Sequence, residues 1–105
     1  MVKNVHSLKW TNKAKADIKN IYNYIKDRDK SSTSALYVIS SIRNKAKETI
    51  YFPFKSPAEP TFNEKEIRFA VLWSYKIISE IKVDHILILR VFHSSQDPSN
   101  LIKLL

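Results

Sequence analysis

The residues with the clearest chemical potential lie in and after the last apolar run of the chain, Ile86-Leu87-Ile88-Leu89-Arg90-Val91-Phe92-His93. A guanidinium inside such a run and an imidazole at its end must either be hydrogen-bonded to a partner or take part in binding or catalysis, because an unpaired polar group is costly to bury. An arginine can stabilise negative charge that develops in a reaction, and a histidine can act as a general acid or base. Arg90 and His93 are therefore the first candidate site residues.

Each of these two residues also has a structural interpretation. His93 would then be a strand-end residue held by hydrogen bonds. Arg90 would be a partly buried arginine in an ion pair, since a lone buried charge is unfavourable. We favour the ion pair for Arg90, and the candidate carboxylates are those of Glu66, Glu80 and Asp17.

Composition excludes several classes of site. The chain has 105 residues, 44% of them hydrophobic, which is enough for one folded domain over residues 1–105. The absence of cysteine excludes disulfides, thiolate ligands and a thiol nucleophile, and the absence of glycine excludes glycine-rich nucleotide-binding loops. The three histidines are scattered along the chain, so we predict no metal site and no cofactor.

The net charge of +8 is concentrated in the first half of the chain. Residues 1–50 hold eleven Lys or Arg against four Asp or Glu, and residues 51–105 hold seven against six. This excess suggests an acidic protein or a nucleic acid as partner, unless it is only a solvated helix surface. Because the sequence contains no signal-peptide pattern and no apolar run of about 18 residues, we expect a cytoplasmic protein without a membrane partner.

The elements that must position the candidate residues follow from hydrophobic periodicity. Residues 4–10 fit a short strand, and Thr11 fits the N-cap of an amphipathic helix over residues 12–28. We expect three aromatic residues of this region to pack helix against sheet, namely Trp10, Tyr22 and Tyr24.

A second helix follows after a short polar connection, which predicts an antiparallel helical hairpin. Thr33 or Ser34 could cap it, and it should end near Phe52, because Pro53 disfavours helix in the residue before it. Residues 53–64 contain three of the four prolines and predict an irregular loop.

The period then changes to two, which predicts strands over residues 67–73, 75–81 and 85–93. The last of these is apolar on both faces and should be central in its sheet. The first strand, 4–10, should lie beside it, because the helical pair prevents a hairpin with a neighbour in sequence. The order β-α-α-β-β-β predicts an α+β domain, with the helical hairpin on one face of a small, mainly antiparallel sheet.

Several segments share their order and spacing with one family. The opening Trp10 to Ile25 fits the pattern W-[ST]-x-x-A-x-x-D-[IL]-x-x-I-x-x-Y-I. The later segments Ile67-Arg68, Tyr75 to Ile78 and Arg90 to Pro98 resemble the patterns I-R, Y-x-I-I-Y and R-V-x-H-x-x-Q-D-P. Over roughly residues 8–98 the chain resembles the RelE/ParE superfamily of bacterial toxins, and the set favours the ParE branch.

This resemblance implies the toxin of a type II toxin–antitoxin, or plasmid stabilisation, module that an acidic antitoxin holds inactive. ParE-like members inhibit DNA gyrase, whereas RelE-like members cut messenger RNA on the ribosome. Operator DNA would be bound only through the antitoxin complex. A non-toxic remnant that only binds an antitoxin is a further alternative.

For the nuclease alternative, the residues at matching positions are Arg68, Lys76, Arg90 and His93. The segment after His93 lacks the arginines and the tyrosine of that branch, and this absence favours the gyrase inhibitor, which is not an enzyme. For the ParE reading we predict target contact through Arg68 and through the polar exit of the last strand, namely His93, Gln96 and Asp97.

Overall fold

A computed structural model describes residues 7–51 and 66–93 and has the predicted order of elements. Within them, two helices pack on a four-stranded mixed sheet, which confirms the α+β class. Neither helix is long and apolar enough to cross a membrane. The elements are β1 (Ser7–Trp10), α1 (Asn12–Asp29), α2 (Ser32–Tyr51), β2 (Ile67–Leu72), β3 (Tyr75–Ile81) and β4 (His85–His93).

The sheet has the strand order β1-β4-β3-β2. β1 runs parallel to β4, and the other neighbours are antiparallel. The last strand is therefore interior with the first strand beside it, and both predictions are confirmed. β1 and β4 can pair in parallel because the long stretch of chain between them allows a crossover connection.

Both faces of β4 are buried, as its apolar sequence predicts. On one face, Ile86 and Ile88 pack under the helices, and on the other, Phe92 joins a second cluster. The helix-facing core also contains residues of α1, α2 and β3, among them Ala14, Ile18, Ile39, Ile42, Ala46, Ile77 and Ile81. The second cluster contains Ile67, Ile78 and Phe92 with the partly buried Phe69 and Leu89.

β4 contains a β-bulge that the sequence pattern did not indicate. Ser79 pairs with Ile88 but Ile78 pairs with Arg90, so Leu89 is one extra residue on β4. An extra residue shifts the alternation of side chains that follow it. Val91 consequently packs on the helix side, and Phe92 lies on the opposite face.

Thr11 joins the start of α1 to this bulge. Its backbone is extended at φ −70° and ψ 162°, and its hydroxyl oxygen accepts a hydrogen bond from the Ala14 N–H at 3.0 Å. The same hydroxyl donates to the Leu89 carbonyl at 2.8 Å, and the Thr11 N–H donates to the Ile88 carbonyl at 3.0 Å. The predicted N-cap is confirmed, and it also satisfies the backbone at the bulge.

A Thr11→Val variant should lower the free energy of unfolding by about 2 kcal/mol, because it removes a helix cap and a part-buried hydrogen bond. Urea denaturation followed by circular dichroism measures this loss. A Thr11→Ser variant keeps the hydroxyl and serves as the control. Equal stability of the valine and serine variants would contradict the double role of Thr11.

The cap of α2 differs from the prediction. The helix begins at Ser32, and the hydroxyl of Ser31 accepts from the Ser34 N–H at 3.2 Å. The prediction of Thr33 or Ser34 as cap is therefore wrong by two or three residues. The connection is shorter than expected because Lys30 ends α1 in a left-handed conformation at φ 53° and turns the chain at once. α2 extends to Tyr51, next to the predicted end at Phe52, and residues 4–6 and 52–65 lie outside the described residues.

Candidate functional site

Arg90 and His93 both line a cleft of about 710 Å³. We call it the α1–β4 cleft, because it lies between one flank of α1, the β2–β3 turn and the end of β4. Its lining includes the α1 residues Asp17, Asn20, Tyr24 and Arg28, the turn residues Trp73 and Ser74, and Tyr75, Arg90, Val91 and His93 of the sheet.

Asp17 and Arg90 form an ion pair at the base of the cleft. The Arg90 Nε and Nη2 atoms donate to the two carboxylate oxygens of Asp17 at 2.7 and 2.8 Å. Only 14% of the Arg90 side chain and 12% of the Asp17 side chain are exposed. Hydrogen bonding to Asp17 raises the pKa of Arg90 above its usual value despite its partial burial. Asp17 is thus the carboxylate among the three predicted partners that Arg90 uses.

Asp17 has a second contact that explains its position. β1 pairs with β4 only as far as Ile88, so the edge of β4 needs other partners beyond that residue. The Val91 N–H donates to the Asp17 carboxylate at 2.9 Å. Asp17 lies six residues, nearly two helical turns, after Thr11, whose hydroxyl donates to the Leu89 carbonyl. Asp17 and Thr11 therefore continue the hydrogen bonding of β4 where β1 ends. Because the same carboxylate of Asp17 binds both Arg90 and the backbone of β4, Arg90 has a structural role in this interpretation.

His93 stands at the open end of the cleft. It pairs with Tyr75 across β3 and β4, and the two rings meet edge to face with centroids 5.8 Å apart. Burial raises the pKa of Tyr75 above its usual value of 10.0. The tyrosine therefore keeps its proton near neutral pH and can act as a hydrogen-bond donor at the end of the cleft.

Arg28 supplies the second guanidinium of the cleft. It bonds to Asp29 through Nε at 2.8 Å and Nη2 at 3.2 Å, and its guanidinium carbon lies 5.6 Å from the centre of the Tyr24 ring. The hydrogen bond from Arg28 lowers the pKa of Asp29, and Asp29 raises that of Arg28. Both arginines that line the cleft are therefore already hydrogen-bonded to carboxylates.

The rim of the cleft is aromatic. Trp73 is the first residue of the two-residue β2–β3 turn and has a left-handed φ of 53°. It is 55% exposed, and its ring stacks on Tyr37 of α2 with centroids 5.9 Å apart. Tyr24 is 63% exposed on the opposite rim, so the prediction that it packs in the core is wrong. Trp10 and Tyr22 do pack against the core as predicted.

The other residues predicted for the nuclease alternative do not line this cleft. Arg68 lies on the edge strand β2, where its Nη2 atom forms an ion pair with Glu66 at 3.3 Å. Lys76 lies on the sheet face away from the helices, with its Nζ atom 4.2 Å from the centre of the Phe69 ring. The structure brings Arg90 and His93 together and separates them from Arg68 and Lys76. Gln96 and Asp97 lie outside the described residues, so target contact through them stays a prediction.

Sequence reasoning missed Trp73 and Arg28, which line the cleft, and Tyr37, on which the Trp73 ring stacks. The sequence predicts Trp73 as the last residue of a strand over 67–73, whereas β2 ends at Leu72 and Trp73 lies in the turn. In the described ranges 7–51 and 66–93, no group of three His, Asp or Glu residues is placed to hold a metal ion.

Comparison with known proteins gives the family. The sequence profile of the ParE toxin of the type II toxin–antitoxin system parDE matches residues 8–98. A solved structure of the chromosomal ParDE toxin–antitoxin system from P. aeruginosa is similar with a TM-score of 0.72 and 26% identity, over 85% of this chain and 96% of that one. A search of curated proteins finds no match.

Two further solved structures share the fold. The toxin–antitoxin complex RelBE2 from Mycobacterium tuberculosis matches with a TM-score of 0.61 and 14% identity, over 88% of this chain and 99% of that one. The RelB–RelE complex from Methanococcus jannaschii matches with a TM-score of 0.51 and 15% identity, over 91% and 96%. The profile match over most of the sequence confirms the resemblance, and the chain belongs to the ParE toxin family of type II toxin–antitoxin systems.

Proposed function

We propose that this chain, as a single toxin domain over residues 1–105, inhibits DNA gyrase in the cytoplasm by direct contact and is neutralised by a cognate antitoxin. Family membership supports the module, since the similar solved structures are toxin–antitoxin systems or complexes. Any binding of operator DNA would be mediated by the antitoxin in its complex with this chain.

The observation that carries the choice of target is the chemistry of the α1–β4 cleft. Cleavage of RNA by its 2′-hydroxyl requires a base, an acid and cations that stabilise the negative charge of the phosphorane. Arg28 and Arg90 are both engaged by carboxylates, and Arg68 and Lys76 lie elsewhere. This arrangement supports binding over phosphoryl chemistry.

An aromatic rim around such a cleft favours a protein target. Trp, Tyr and Arg are the residues most enriched where a few side chains carry most of the free energy of association. Trp73, Tyr24 and Arg28 provide this set on three exposed positions around one opening. The cleft therefore suits an apolar or aromatic side chain of a protein better than a nucleic-acid backbone.

A supercoiling assay with purified gyrase tests the proposal. We expect the chain to block supercoiling or to accumulate cleaved DNA–gyrase complexes, and the added antitoxin to restore activity. Unchanged supercoiling at a large excess of toxin would reject the proposal. Cut transcripts in a translation extract would instead identify the ribosome-dependent nuclease, and normal growth after induction without antitoxin would identify a non-toxic remnant.

A further inference from the structure

A second, chemically different pocket lies on the other flank of α1. It has a volume of about 240 Å³ and is lined by Trp10 at the end of β1, by Lys15 and Ile18 of α1, and by Arg43 of α2. We call it the basic pocket. Among the described residues, none lines both this pocket and the α1–β4 cleft.

The size and walls of the basic pocket suit one apolar side chain. Its volume is below the range of about 300 to 1,000 Å³ that is typical of small-molecule sites. Ile18 is 6% exposed at its base, and Trp10 packs against the same core cluster. A single aliphatic or aromatic side chain of a partner fits such a pocket better than a nucleotide or a cofactor.

The rim of the basic pocket is positively charged. Lys15 and Lys19 are four residues apart on α1, as are Arg43 and Lys47 on α2, so each pair lies on one helix face. All four are exposed, and the ion pairs of the two helices that the structure describes involve other residues. A partner segment that carries carboxylates beside its apolar side chain would be attracted to this rim.

An exposed apolar residue extends the same surface along α2. Leu36 is 55% exposed and precedes Arg43 by seven residues, which places both on one side of the helix. A partner helix or extended segment that occupied the basic pocket could therefore cover Leu36 as well. The pattern of one pocket, one further apolar contact and a cationic border fits an amphipathic acidic segment.

Helix geometry separates this surface from the cleft. Asp17 follows Lys15 by two residues and Tyr24 follows it by nine, so both point about 180–200° away from Lys15 around α1. The buried residues Ile18 and Ile25 lie between the two flanks. One side of α1 thus borders a neutral, aromatic cleft and the other borders a basic pocket.

We infer that the basic pocket is a docking site for the antitoxin, which inserts an apolar side chain there from a segment rich in Asp and Glu. This inference rests on the proposed toxin–antitoxin module. It adds that antitoxin recognition and target contact use opposite flanks of α1, so that single substitutions can separate them.

The test compares Arg43→Glu with Lys9→Glu in the full chain. Lys9 is exposed on β1 beside Trp10, on the alternate side of the strand, so the control changes the net charge equally without touching the basic pocket. The binding partner is the purified cognate antitoxin, sought as the product of a small acidic open reading frame beside this gene. Calorimetry should show that Arg43→Glu raises Kd by about tenfold or more, whereas Lys9→Glu changes it by less than about twofold.

A second arm measures gyrase inhibition by each free variant. Wild-type-like inhibition by Arg43→Glu, together with weakened antitoxin binding, supports the inference. Equal affinity of the two variants for the antitoxin, or no binding of that antitoxin to the wild-type chain, overturns it. Failure of wild-type toxin to inhibit gyrase would reject the proposed target and leave the binding comparison intact. Lys15→Glu replaces Arg43→Glu if circular dichroism shows that the latter does not fold.

Discussion

An Asp17→Ala variant is expected to lose about 3 kcal/mol of unfolding free energy, because breaking a buried ion pair leaves the remaining charge uncompensated. The substitution deprives the Arg90 guanidinium of both its hydrogen bonds and the Val91 N–H of its acceptor. We place the loss at the lower end of the range for buried pairs, since each side chain keeps a small exposed fraction. Urea denaturation followed by circular dichroism would show a lower midpoint with an unchanged slope.

Two matched variants identify the cause of this loss. Asp17→Asn keeps one oxygen acceptor and should therefore retain more stability than Asp17→Ala. Asp17→Ala combined with Arg90→Met removes the stranded charge and should recover part of the loss. If the single and double variants unfold at the same urea concentration, the ion pair is not what stabilises this region.

A Trp73→Asn variant is expected to weaken gyrase inhibition by about thirtyfold, which corresponds to about 2 kcal/mol for a residue that dominates an interface. Asparagine tolerates a left-handed backbone better than most residues, so the turn should keep its conformation. The ring that stacks on Tyr37 at the rim of the cleft is lost. The measurement is the toxin concentration that halves the supercoiling activity of gyrase.

Val83→Asn is the control for this substitution. Val83 is 79% exposed in the β3–β4 turn, at the opposite end of the sheet from Trp73. The substitution Val83→Asn, like Trp73→Asn, replaces an exposed apolar residue with asparagine. It should leave inhibition unchanged, and Trp73→Phe should restore most of it. Full inhibition by Trp73→Asn would show that the rim of the cleft does not contact the target.

The elements with strong periodicity were predictable from the sequence. The sequence predicts α1 over 12–28, and the helix extends over Asn12–Asp29; it predicts β4 over 85–93, and the strand has those bounds. The ion pair of Arg90 could be anticipated because a buried guanidinium requires a carboxylate. The choice of Asp17 among three candidates depended on where β1 stops, and no local pattern contains that information.

The rim of the cleft could not be predicted because it depends on contacts between residues distant in sequence. Tyr37 and Trp73 stack although they belong to different elements, and periodicity assigned Tyr24 to the core although its ring lies over Arg28 at the surface. The bulge at Leu89 has the same origin, since Thr11 supplies the hydrogen bond that holds it. In each of these cases tertiary contacts override the local pattern.

The left-handed turn residue Trp73 has a consequence for how sequences of this kind diverge. A tryptophan in that conformation costs about 1 kcal/mol or more of stability relative to glycine, which would adopt it freely. Mutation would therefore drift toward glycine or asparagine at position 73 in any lineage where the side chain served no purpose. Among relatives with the same β2–β3 turn, we expect aromatic residues there in toxins that still arrest growth and small residues in those that have become harmless.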